Sequence, residues 1–144
     1  MLGHFVDAAW AYRFGPPAQD AIVVSLEAVE GAGEGARVLS QAVRFPAGRP
    51  LLRESSARIG LAGRARTLPD GEVELALSSD RLAYGVRIHA PGHRPSEDCM
   101  SIEPGVERLL TLSPHDPDAS LQSATLGALN MHGRVRVVLE NERG

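Results

Sequence analysis

The strongest constraint in this chain is a change of residue character at every second position through Glu72 to His89. Val73, Leu75 and Leu77 alternate with Glu72, Glu74 and Ser78, and after Ser79-Asp80-Arg81 the alternation resumes with Tyr84, Val86 and Ile88 against Ala83, Gly85, Arg87 and His89. Successive side chains of a strand point to opposite faces, so each run has one apolar and one polar face and covers a core from one side only. Pro91, Gly92 and Pro95 end the second run, and Glu103-Pro104-Gly105 turns the chain after the short segment Cys99 to Ile102. Similar runs recur downstream at Val106 to Leu112, within Ala124 to Asn130, and at Arg134 to Leu139. Asp118 to Asn130 also admits a helix capped by Asp118 or Ser120, with strand preferred. Short alternating runs set off by clusters among 15 Gly and 10 Pro predict an all-β chain. At 144 residues it is long enough to bury a sizeable core. Leu75, Leu77, Tyr84, Val86, Ile88, Leu110, Leu112, Val135 and Val137 are expected to share that core.

The N-terminal part reads differently. Trp10, Tyr12 and Phe14 alternate before the breaker Gly15-Pro16-Pro17 and hold three of the six aromatic residues. Same-face aromatics on a strand usually fill a core, while the functional alternative is a platform on which sugar rings stack. Ala21 to Val29 is a clear strand with Ile22, Val24 and Leu26 on one face. The loop Gly31 to Gly35 joins it to Val38 to Phe45, in which Leu39, Val43 and Phe45 are expected to share a face, so the two form a hairpin. The three loop glycines do not read as a phosphate cradle, because no helix follows them. Pro46-Ala47-Gly48-Arg49-Pro50 is a natural boundary between residues 1–48 and 51–144.

Two segments carry a family resemblance. Ser79-Asp80-Arg81-Leu82-Ala83, followed by Ser96-Glu97-Asp98-Cys99-Met100-Ser101-Ile102-Glu103-Pro104-Gly105, resembles the last immunoglobulin-like module of β-mannosidase-type enzymes in glycoside hydrolase family 2. Leu82 and Met100 stand where that family has Phe, and Glu97-Asp98 where it has Asp-Asn. Ala11-Tyr12-Arg13-Phe14-Gly15-Pro16-Pro17 resembles the penultimate module of the same enzymes. The resemblance implies an immunoglobulin-like antiparallel β-sandwich over 51–144, preceded over 1–48 by the closing strands of an incomplete sandwich. It implies a non-catalytic accessory region that braces or shapes a catalytic (β/α)8 barrel, because both catalytic glutamates of that family lie in the barrel and none aligns here. The partners it implies are that barrel and the other domains of a parent glycosidase. Carbohydrate metabolism would be the setting, and hydrolase activity would belong to the parent rather than to this chain. An independent carbohydrate-binding sandwich, holding an oligosaccharide on Trp10, Tyr12 or Tyr84, is the alternative; a free-standing hydrolase is a third reading.

The residues themselves point to no catalytic device. No G-x-S-x-G elbow is present, and the carboxylates Glu72, Glu74, Glu97, Asp98, Glu103 and Glu107 fall in no recognisable pair. His89, His93, Asp98 and Cys99 match no zinc spacing; surface histidines and a small buried cysteine are expected instead. Asp116 and Asp118 lack the regular oxygen-ligand spacing of a calcium loop and are expected in a solvated one. No metal or cofactor is expected. All 15 basic residues are Arg against 18 acidic ones, a balance that excludes the basic footprint of nucleic-acid binding. No membrane-spanning run or leader is evident, and the single cysteine favours a reducing, cytoplasmic setting, with a periplasmic or secreted one open if a signal lies upstream. An incomplete N-terminal module leaves the face of Ile22, Val24 and Leu26 without a second sheet, so these strands are expected to dock on the C-terminal module, to self-associate or to remain loosely ordered with an exposed apolar patch, with docking or self-association preferred.

Overall fold

The computed structural model describes residues 21–28, 37–49 and 52–140. The elements are β1 (Ile22–Ala28), β2 (Arg37–Arg44), β3 (Glu54–Ser55), α1 (Ser56–Ile59), β4 (Ala62–Thr67), β5 (Val73–Ser78), β6 (Ala83–His89), β7 (His93–Pro95), β8 (Met100–Ile102), β9 (Arg108–Pro114), β10 (Thr125–Gly127), β11 (Met131–His132), β12 (Val135–Arg136) and β13 (Val138–Glu140). A five-stranded sheet in the order β13-β4-β5-β9-β7 faces a four-stranded sheet in the order β12-β10-β6-β8. All pairings in these sheets are antiparallel except the parallel β13 on β4. The chain is thus an all-β sandwich of the expected immunoglobulin-like, antiparallel class, with an extra N-terminal hairpin formed by β1 and β2.

The alternation of β5 sets the layout. Val73, Leu75 and Leu77 are buried, whereas Glu74, Ala76 and Ser78 lie on the outer face. Cross-strand pairing carries that register outward, matching Leu75 to Ala65 on one side and to Leu110 on the other. The opposing sheet closes the core with Ala83, Val86, Met100, Ile102 and Leu126. Gly63 sits where a Cβ would meet Leu126 Cδ1 at 2.9 Å, Leu77 Cδ2 at 3.1 Å and Val137 Cγ2 at 3.2 Å, so its lack of a side chain lets the two layers approach. After Val135–Arg136 in one sheet, Val137 enters the core and Val138–Glu140 joins the other sheet, so the last run serves both layers.

The single helical turn α1 was not legible as a helix. It places Ile59 in the core and ends at Gly60, whose left-handed φ of 66° lets its N–H donate to Ser56 O at 2.9 Å. The Ile59 carbonyl then accepts from the N–H groups of Asp80 and Arg81 at 3.1 and 3.0 Å, which fixes the corner after β5.

Of the expected core, Leu75, Leu77, Val86, Leu110, Leu112 and Val137 are buried, and Ile88 and Val135 pack against them. Tyr84 is the exception. Ala83 pairs with Ile102 and Val86 with Met100, so β6 carries one more residue than β8 over this interval. Gly85 takes φ 59°, and the resulting bulge turns Tyr84 off the core face. Asn130 satisfies the displaced backbone: its Oδ1 accepts from Tyr84 N at 2.9 Å and its Nδ2 donates to Leu82 O at 2.8 Å. The segment 118–130 holds no helix; only Thr125–Gly127 is regular, as strand β10.

Candidate interaction site

The hairpin meets the sandwich beside the edge strand β8, and the meeting is polar. Ser25 and Gln41 are cross-strand partners on one face of the hairpin. Ser25 Oγ donates to Glu103 Oε1 at 2.6 Å, and Gln41 Nε2 donates to the same oxygen at 3.1 Å. The Gln41 carbonyl accepts from Ser101 N at 3.2 Å, so a side chain caps a backbone donor of the β8 edge. Phe45, just past β2, contacts the Tyr84 ring edge-on, with centroids 4.9 Å apart and planes at 86°. Val23 and Val43 lie on this half-buried face too.

The opposite face carries Ile22, Val24 and Leu26, which are 46%, 64% and 61% exposed. This corrects the expected arrangement. The hairpin docks, but through its mixed polar face, and the more apolar face is left outward. The reason is chemical complementarity: Ser25 and Gln41 match a carboxylate and a free strand-edge N–H, which Ile22 and Leu26 cannot satisfy. The expected grouping of Leu39 with Val43 and Phe45 also fails. Leu26 pairs with Ser40 but Glu27 pairs with Val38, so Leu39 is skipped in a bulge and is exposed.

Between the hairpin and β9 runs a groove of about 1090 Å³ whose walls include Glu27, Glu74, Glu97, Glu103 and Glu107. Four of these carboxylates have assigned work. Glu74 pairs with Arg66 at 2.8 Å and Glu107 with Arg64 at 2.7 Å on the exposed outer face, where such pairs add little stability. Glu103 holds the hairpin, and Glu97 pairs at 2.6 Å with Arg108, whose side chain is only 8% exposed and whose Nη1 donates to Ser101 O at 3.4 Å. A buried guanidinium stripped of its partner is costly, so the Glu97 to Arg108 pair is a structural fastening under the groove. Neither Glu97 to Arg108 nor Gln41 to Glu103 was singled out from the sequence. The available signal was Ser25 and Gln41 themselves, polar residues set inside apolar runs.

A smaller cavity of about 320 Å³ is lined by Tyr84, Val43, Asp98, Cys99 and Met100 among others. Tyr84, the one candidate sugar-stacking residue among the described residues, is half-buried and occupied by Phe45 edge-on. Trp10 and Tyr12 lie outside the described residues.

The histidine and cysteine expectations are partly overturned. His89 is exposed as expected, but His93 is 5% exposed in β7, with Nδ1 3.3 Å from Pro91 O, because pairing with Pro114 draws it into the sheet. Cys99 is exposed rather than buried; it sits in the loop before β8, where it takes φ 59°. Among the described residues no cluster of three His, Cys, Asp or Glu side chains could hold a metal ion, and no helix is long and apolar enough to cross a membrane. Asp116 and Asp118 lie in an exposed turn in which Asp118 N donates to Asp116 Oδ1 at 3.2 Å.

Set against family models, curated proteins and solved structures, the chain matches none.

Proposed function

We infer that this chain is a non-catalytic accessory β-sandwich of a family 2 glycosidase of β-mannosidase type, acting through its surfaces and not through bond chemistry. The observation that carries the reading is what the two resembling segments do. Ser79 Oγ donates to Ile102 O at 3.2 Å, and Gly105 N donates to Ser79 O at 3.3 Å, so the two segments brace each other. Glu103, within the second segment, seats the hairpin. Their polar groups are thus spent on building a corner and a docking seat, which suits a module that positions other domains. Interdomain contacts of this kind cover about 600–1,500 Å².

Two assays on the purified chain test this. Aryl β-mannosides should remain unhydrolysed, and turnover that disappears with Glu97→Gln or Glu107→Gln would defeat the non-catalytic reading. Titration with mannan should leave the Tyr84 resonances unmoved; a saturable shift there would favour the oligosaccharide-binding alternative. The parent assignment is tested separately, by whether the reading frame upstream encodes a (β/α)8 barrel.

A further inference from the structure

We propose that the outer face of the four-stranded sheet is a docking surface for an acidic peptide segment lying extended along β10. The two outer faces of the sandwich treat their arginines differently. On the five-stranded sheet Arg64 pairs with Glu107 at 2.7 Å and Arg66 with Glu74 at 2.8 Å, so that face neutralises itself. On the four-stranded sheet the register sets Arg136, Thr125 and His89 in one rung across β12, β10 and β6, and Gly127 beside Arg87 in another. Leu126, between Val135 and Ile88 in the intervening rung, is in the core, so the rungs on either side of it face outward. Arg134 completes the Gly127 rung, its Cγ lying 3.8 Å from where a Cβ on Gly127 would sit. Arg87, His89, Arg134 and Arg136 are all exposed. Among the described residues the only carboxylate within ion-pair reach of any of them is that of Asp98, 3.1 Å from Arg87. In a chain of net charge -3 this is a local excess of positive charge.

The arrangement is a trough. Gly127 and Thr125 floor it, with Arg134 and Arg136 along one side and Arg87 and His89 along the other, the two sides standing two strands, or about 9–10 Å, apart. Along each side the groups recur at every second residue, about 6.4–6.8 Å. Side chains on one face of any extended peptide recur at the same interval, so carboxylates at alternate positions meet these donors in step. Guanidinium groups suit them, offering paired N–H donors to a carboxylate. Thr125 Oγ1, buried and without a hydrogen-bond partner, is a further donor on this face for a carboxylate lowered between the two sides. Ring-shaped ligands are served less well. Tyr84 on β6 is covered edge-on by Phe45, and the trough holds no phenyl, phenol or indole ring for bases or sugars to stack on. The contact is made of exposed ion pairs, so it is weak, reversible and screened by salt. This inference does not depend on the glycosidase assignment.

The test is an NMR titration of the isotope-labelled full chain with an end-capped octapeptide of alternating glutamate and serine, in about 20 mM salt. Saturable shifts should appear at the Gly127 amide and at the side-chain N–H signals of Arg87, Arg134 and Arg136, and the affinity should fall at least about tenfold when salt is raised to about 0.3 M. Arg134→Gln/Arg136→Gln should weaken binding about five- to tenfold. Arg64→Gln/Arg66→Gln removes the same charge from the other outer face and should leave the affinity within about twofold. All four positions are exposed, and each variant's own spectrum reports whether it is folded. Equal weakening by the two double variants would show a response to net charge alone and overturn the site. No saturable shift in the unmodified chain would overturn the docking face itself. Tighter binding at the same signals by polygalacturonate or oligothymidylate of equal charge would overturn the peptide assignment in favour of that polyanion.

Discussion

The sandwich and the hairpin are built from the same kind of alternating strand, yet they bury opposite choices. In β5 the apolar set Val73, Leu75 and Leu77 faces inward. In β1 the apolar set Ile22, Val24 and Leu26 faces outward, and the half-buried face includes Ser25. Alternation settles that a strand has two unlike faces; what lies opposite settles which one is covered. Leu75 meets another sheet's apolar side chains, while Ser25 and Gln41 meet the Glu103 carboxylate and the Ser101 N–H. A body held by close packing and a hairpin held by hydrogen bonds should respond differently to perturbation.

The body should respond most. Leu75→Ala removes a fully buried side chain and should cost about 2–5 kcal/mol in denaturant unfolding. A change of a few tenths would mean that the β5 register is off by one residue. Gly63→Ala pushes a methyl against Leu126, Leu77 and Val137 and should cost about 1–3 kcal/mol; a neutral or stabilising result would show that the layers are not in close contact there.

Leu75 lies where the sequence was most legible, whereas Arg58 to Arg66, which holds Gly63, was only weakly patterned. Strict period two with polar intervals made β5, β6 and β9 readable, and with them most of the core. What remained unread depended on interactions that spacing does not encode. The Gly85 bulge reverses Tyr84, and it is held by Asn130, 46 positions away. The skipped Leu39 shifts one end of the hairpin in the same way. The hairpin seat joins Ser25 to Glu103 across 78 positions, so neither residue alone announces it. The burial of His93 follows from strand pairing with Pro114, and the exposure of Cys99 belongs to the loop before β8, neither of which residue type announces. The aromatic platform at Trp10 and Tyr12 falls outside the described residues.

Smaller effects should belong to the hairpin and the outer faces. Glu103→Ala removes the acceptor shared by Ser25 and Gln41 and should loosen hairpin docking by about 1–2 kcal/mol, the upper range for charged acceptors being discounted for partial exposure. Amide exchange in β1 and β2 should accelerate while that of β5 holds. Equal acceleration in both would contradict a separately fastened hairpin. His89→Ala and Val24→Ser, both on exposed positions, should change stability by no more than about 0.5 kcal/mol. A larger loss from Val24→Ser would mean that its side chain is covered.

The orientation of the hairpin is tested most directly by methyl NMR with a dissolved nitroxide. If the hairpin is seated through Ser25 and Gln41, the methyl signals of Ile22, Val24 and Leu26 should broaden nearly as strongly as those of Leu52, which is 84% exposed. Val23 and Val43 should broaden less, and Leu75 and Leu77 should be untouched. Protection of Ile22, Val24 and Leu26 at the level of Leu75, with strong broadening of Val23 and Val43, would show that the hairpin buries its apolar face after all.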